Sequence, residues 1–123
     1  MSNAEVEFSI LAGSGAPIRA FKQGEVVFRE GDPSTELYVV KSGRVDISSG
    51  NRLLATLEEN GIFGEMALID KAPRSATVTA ATDVELVPVN EKQFLFLVSQ
   101  TPFFALKVMR VLAGRLRVAN KAV

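Results

Sequence analysis

Glu65 and Arg74 stand nine positions apart in the stretch Phe63-Gly64-Glu65-Met66-Ala67-Leu68-Ile69-Asp70-Lys71-Ala72-Pro73-Arg74-Ser75-Ala76. One side chain accepts hydrogen bonds and the other donates them. Together they could grip a ligand that carries an anion beside a hydroxyl. Arg74 offers a planar fork of donors that suits a phosphodiester. An ionised Glu65 can only accept, which suits a sugar hydroxyl. Gly64 to Ala67 could bring backbone N–H groups toward phosphate oxygens, as at the start of a short helix. Lys71-Ala72-Pro73 is a turn-prone link between the two groups. The plainer reading of the same residues is a surface ion pair worth under about 1 kcal/mol. Gly64 is then only a turn residue, and Met66 to Ile69 only core.

These groups need a scaffold, and the chain punctuates one. From Ile18 to Val89, short apolar runs are broken at Gln23-Gly24, Gly31-Asp32-Pro33, Ser42-Gly43, Ser49-Gly50-Asn51 and Glu59-Asn60-Gly61. Leu37 to Val40, Val45 to Ile47 and Leu53 to Leu57 read as closely spaced strands. Many short strands with frequent turns predict a sandwich or barrel. Glu65 to Ile69 interrupts them with about one turn of helix-favouring residues. After Val89 the pattern changes. Asn90, with Gln93 three residues on, predicts a capped helix to about Ser99. Thr101 as cap and Pro102 at the first helical position predict a second helix, with Gly114 inside it. Glu5 to Leu11 is expected to form a short helix before a Gly13-Ser14-Gly15 hinge. Met1 to Ala4 has the look of a cloning remnant, leaving one domain over residues 5–123.

Composition removes several chemistries. The chain has no cysteine and no histidine. Disulfides, thiolate nucleophiles and iron–sulfur ligation are thereby excluded. The commonest metal ligand and the commonest general base are missing too. No catalytic residue and no metal site is expected. Fourteen basic and fourteen acidic side chains give a formal net charge of zero, which argues against nucleic acid as a partner of this domain. The longest apolar run, Phe94 to Val98, falls far short of the roughly 18 residues that cross a bilayer. The expectation is a cytoplasmic protein without a membrane partner.

Taken in order, the residues from Phe63 to Ala76 resemble the phosphate-binding cassette of cyclic nucleotide-binding domains. That family includes bacterial catabolite activators, regulatory subunits of cyclic AMP-dependent kinases and cyclic nucleotide-gated channels. The cassette reads roughly F-G-E-(L/M)-A, a variable turn, then (P)-R-(S/T/A)-A, and every fixed position is matched. A second family signature lies upstream as Phe28-x-Glu30-Gly31-Asp32, Tyr38-x-Val40 and Gly43-x-Val45-x-Ile47. The resemblance runs from about Ile18 to about Val118.

The resemblance implies a mainly β fold: a β-roll, or jelly-roll-like barrel, with a short cassette helix inserted and two C-terminal helices. It implies a regulatory domain that binds cyclic AMP or cyclic GMP and catalyses nothing. Carried over by position, Arg74 would pair with the phosphate and Ser75 would add a donor. Glu65 would accept from the ribose 2′-hydroxyl. Phe63, Gly64, Met66 and Ala67 would line the cassette, and Ala76 would close it. Arg115, late in the last helix, would be a lid stacked over the purine, a contact of about 0.5–2 kcal/mol; otherwise it is a solvated arginine. Val108, Leu112 and Ala119 fit either a seam with a second copy or packing on the chain's own roll. Three alternatives remain: a ligand-binding fragment of a transcription factor, a channel's regulatory part, or a degenerate roll that binds nothing. Ser75 does not choose between the two purines.

Overall fold

The computed structural model describes the backbone of residues 17–121 and the side chains of residues 17–115. The expected helix at Glu5 to Leu11, the glycine hinge after it and the Met1 to Ala4 remnant lie outside the described residues. Eight strands come first: β1 (Arg19–Phe21), β2 (Val26–Phe28), β3 (Glu36–Ser42), β4 (Val45–Ser49), β5 (Arg52–Leu57), β6 (Ile62–Phe63), β7 (Thr77–Ala80) and β8 (Val84–Asn90). A one-turn helix, α1 (Met66–Ile69), sits between β6 and β7, and α2 (Glu91–Gln100) and α3 (Phe103–Lys121) follow β8. The strands form two four-stranded antiparallel sheets, ordered β1-β8-β3-β6 and β2-β7-β4-β5. This is the expected roll with its inserted helix and two terminal helices.

β3 is apolar without alternation because both of its faces are covered. The two-residue period of a strand sends Leu37 and Val39 to one face and Tyr38 and Val40 to the other. β8 matches it in register, with Leu37 opposite Val89, Val39 opposite Val87 and Val40 opposite Leu86. The outer set joins Ile62, Leu97, Phe104 and Val108 in a core beneath α2 and α3. The inner set joins Val45, Phe63, Val78 and Ala80 between the sheets. Burial of a side chain such as Phe104 or Val108 contributes about 1.5–3 kcal/mol, and so fastens the first half of α3 to the roll. Val108 and Leu112 are thereby taken by the chain's own core. Their periodic spacing serves self-packing here, and the Ala119 side chain lies outside the described residues.

Local signals set the helix ends. Asn90 accepts from the Gln93 N–H and the Gln93 side chain accepts from the Asn90 N–H, both at 2.9 Å. That closes the expected capping box. α3 begins at Phe103 rather than Pro102. Its first turn closes through backbone carbonyls, with the Phe104 N–H on Thr101 at 2.9 Å and the Ala105 N–H on Pro102 at 3.1 Å. One glycine is fixed by close approach: a Cβ on Gly43 would stand 2.2 Å from the Asp83 carbonyl oxygen, at a φ of +84°. β5 starts one residue before the expected Leu53 and lies at a sheet edge. Its Leu53 and Leu54 are 59 % and 51 % exposed. No single helix among the described residues is long and apolar enough to cross a membrane.

Candidate functional site

A cavity of about 590 Å³ opens between the β6–β7 cassette, β5 and α3. Every residue singled out from the sequence borders it: Phe63 to Ala67, Arg74 to Ala76, and Arg115. The roll brings the first eight together, and α3 delivers the ninth across its mouth.

Arg74 is the most elaborately held. Its N–H donates to the Asp32 carbonyl and its own carbonyl accepts from the Gly31 N–H, both at 2.8 Å. The Asp32 carboxylate accepts from the Arg29 N–H at 2.9 Å, which shapes that turn. The Ser34 hydroxyl donates to the Ala72 carbonyl at 2.7 Å and ties the same loop to the cassette. The Glu30-Gly31-Asp32 signature is therefore the brace of Arg74. The guanidinium carbon lies 4.0 Å from the centre of the Phe28 ring and 5.7 Å from that of Tyr38. Its Nη1 donates to the Gly64 carbonyl at 3.3 Å. Gly64 has a φ of +76°, and a Cβ there would fall 2.6 Å from that Nη1. Arg74 is only 8 % exposed, and this burial draws its pKa below the usual arginine value. Its Nε is buried with no partner among the described residues.

Glu65 lies just before α1 and is 1 % exposed. Its Oε1 accepts a hydrogen bond from Arg115 Nη1. Its Oε2 is buried and has no partner among the described residues. Arg115 Nη2 also donates to the Ile62 carbonyl at 3.2 Å, and desolvation draws the Arg115 pKa down. Thus Arg115 reaches the cavity as expected, but its side chain is engaged with Glu65. The cassette amides are narrowed as well. The Ala67 and Leu68 N–H groups close onto the Gly64 and Glu65 carbonyls at 3.2 and 3.1 Å. The Ala67 N–H thus has a partner inside the turn.

Sequence reasoning passed over part of the cavity wall. Phe28 lies under Arg74, and Arg52 to Ala55, Val111 and Gly114 also line the cavity. Phe28 stood in the upstream signature. Consecutive leucines on a short strand were the signal for β5. Among the described residues no group of three or more acidic side chains could hold a metal ion.

The family model described as cyclic nucleotide-binding domain matches residues 18–101. The cyclic AMP receptor protein of Thermus thermophilus is 36 % identical over 107 residues, covering 83 % of this chain and 50 % of that protein. The crystal structure of the Thermus thermophilus catabolite activator protein aligns with a TM-score of 0.80 at 34 % identity, covering 98 % of this chain and 57 % of that one. The EAL enzyme Bd1971, in its cAMP-bound form, aligns with a TM-score of 0.61 at 39 % identity, covering 84 % of this chain and 29 % of that one. The chain spans about half the length of the receptor-type curated relatives it matches. With the matched segment carrying the whole roll and its cassette, the chain belongs to the cyclic nucleotide-binding domain family.

Proposed function

We propose that this chain senses a 3′,5′-cyclic purine nucleotide in the cavity beneath α3 and regulates a larger protein without chemistry of its own. One observation carries the reading: among the described residues, Arg74 Nε and Glu65 Oε2 are both buried without partners, on two residues that line the same cavity. Leaving a polar atom buried and unsatisfied costs about 1–3 kcal/mol. Such atoms in a folded protein call for a partner. A cyclic phosphate supplies the acceptor for Arg74, and a ribose 2′-hydroxyl supplies the donor for Glu65. Ser75 and the amides at Glu65 and Met66 would add donors to the phosphate. Ala76 leaves room for it beside Arg74. The exposed Leu53 and Leu54, with Val111, offer the base an apolar wall.

Family membership supports the same ligand class. Bd1971 is known in forms bound to cAMP and to cGMP, so both purines are candidates. Residues 5–123 act as one sensing domain in this reading, in the cytoplasm, where such a messenger is made. The output belongs to the rest of a longer regulator. If two copies pair through α3, they use its exposed Leu106 and Met109, since Val108 and Leu112 are already covered.

Titration calorimetry with cyclic AMP, cyclic GMP and 5′-AMP tests this. The expected result is one-to-one binding of at least one cyclic nucleotide, at least tenfold tighter than 5′-AMP. Absence of binding to both cyclic nucleotides would mean a roll that keeps the fold and senses nothing.

A further inference from the structure

We infer that Arg19 is a positioning residue of the anion site: it holds the Glu36 carboxylate away from Arg74 and so keeps the Arg74 charge free for a phosphate. This rests on the reading that Arg74 binds a cyclic phosphate.

Arg74 is buried with no carboxylate partner among the described residues, yet carboxylates are close. Glu36 and Tyr38 share one face of β3. The guanidinium carbon of Arg74 lies 5.7 Å from the centre of the Tyr38 ring. The Glu36 carbonyl oxygen and Arg74 Nη1 stand 3.6 and 2.6 Å from the point where a Cβ on Gly64 would sit. From that backbone position a glutamate side chain is long enough to meet the guanidinium. Desolvation draws the Arg74 pKa down, and Tyr38, Glu36 and Asp32 oppose it. Arg74 therefore already feels both carboxylates.

Each carboxylate is committed elsewhere. Asp32 accepts from the Arg29 N–H within its own turn. Glu36 Oε1 accepts from Arg19 Nη1 and, at 3.1 Å, from the Tyr38 hydroxyl. The same Nη1 donates to that hydroxyl at 2.7 Å, which closes a triangle. The triangle is built across the sheet. Arg19 stands opposite Leu86 on β8, and Leu86 opposite Val40 on β3, so the Arg19 side chain crosses one strand to reach Glu36. Without Arg19, Glu36 would keep only the tyrosine hydroxyl. Its side chain is 19 % exposed, and a carboxylate so placed is costly without a counter-charge. Arg74 is then a cation within its reach. That new pair would occupy the planar fork that suits a phosphate, and a ligand would have to displace Glu36. Arg19 itself does not border the cavity, so it acts on the ligand only through Glu36 and Arg74.

The test is a double-mutant cycle read by calorimetry with cyclic AMP, or with cyclic GMP where that binds better. The proteins are the wild type, Arg19→Ala, Glu36→Gln and the double variant, each checked for folding by circular dichroism. Arg19→Ala should weaken binding about fivefold or more, the weight of one ion pair set against the phosphate. Glu36→Gln should bind within about twofold of wild type. The double variant should return to that level, because glutamine leaves no carboxylate to take Arg74. Wild-type affinity in Arg19→Ala would overturn the inference. So would a double variant as weak as Arg19→Ala: Arg19 would then act through its own charge or through the fold, while the binding reading stands. If the wild type binds neither nucleotide, the binding reading fails and the inference fails with it. If Arg19→Ala does not fold, Arg19→Gln with and without Glu36→Gln replaces it. Recovery of affinity there supports the inference, and no recovery overturns it.

Discussion

The Arg74 guanidinium stands over the Phe28 ring, 4.0 Å from its centre, and has no carboxylate partner among the described residues. Phe28 lies 6.1 Å from Tyr38 and 5.9 Å from Phe63, ring centre to ring centre, and those two stack at 5.4 Å. Three rings from β2, β3 and β6 thus make a floor for one cation. An aromatic face stabilises a cation electrostatically without neutralising it. Arg74 can therefore be buried and still present a full positive charge to an anion. A carboxylate in place of Phe28 would hold the arginine as firmly but cancel the charge that a phosphate would need.

Replacing Phe28 by leucine tests that floor. Apolar volume is roughly kept, so the roll should lose under about 1.5 kcal/mol of stability. Nucleotide affinity should fall about 3- to 30-fold, the equivalent of roughly 0.7–2 kcal/mol. Calorimetry and thermal unfolding separate the two effects. An affinity equal to wild type would show that the ring does not place Arg74.

Gly64→Ala should strike the site harder than the fold. The left-handed backbone costs a non-glycine residue about 1–2 kcal/mol. The new methyl would also displace Arg74 Nη1, which stands 2.6 Å from its position. Binding should fall tenfold or more. Gly24→Ala is the control, with a φ of +89° and nothing within 4 Å of the added atom. It should cost similar stability and leave affinity intact. Equal affinity losses in both variants would attribute the Gly64 effect to backbone strain alone.

Tyr38 offers a spectroscopic test of the floor, because it is the single tyrosine. Burial first, and then the Glu36 carboxylate, raise its pKa above the ordinary 10.0, with Arg19 and Arg74 opposing. Its hydroxyl accepts from Arg19 Nη1 at 2.7 Å and donates to Glu36 Oε1 at 3.1 Å. The folded state thus keeps a proton that the unfolded chain releases near pH 10. The stability linked to it is complete below that pH and is lost as pH rises through the folded pKa. Tyrosinate absorbance should show a midpoint above 10 in the folded protein. A midpoint at 10 would place the hydroxyl in solvent.

Legibility in the sequence followed the range of each interaction. The Asn90–Gln93 box spans one turn, so residue types alone reveal it. The cassette is legible because its residues occur in one order within a single loop. The contacts that complete the site join distant segments. Nothing near Glu65 announces Arg115, because their meeting depends on where α3 docks. Phe28 was visible as part of a signature, but not as the support of Arg74. Val108 and Leu112 carry an apolar stripe that suits a second helix or a sheet equally. The deciding clue was elsewhere: the unbroken apolar run of β3 demanded cover on its outer face. Leu53 and Leu54 read as ordinary strand residues, and only the edge position of β5 turns them toward the cavity mouth.

In the proposed reading, cyclic-nucleotide binding turns on Arg74, and calorimetry of Arg74→Lys beside wild type and Arg74→Ala measures that dependence directly. Lysine keeps the charge but loses the planar fork. With folding confirmed by circular dichroism, both variants should bind at least tenfold more weakly than wild type, since a lost charge-assisted contact costs about 1.5–3 kcal/mol. Near-wild-type affinity in both variants would contradict a phosphate held by Arg74.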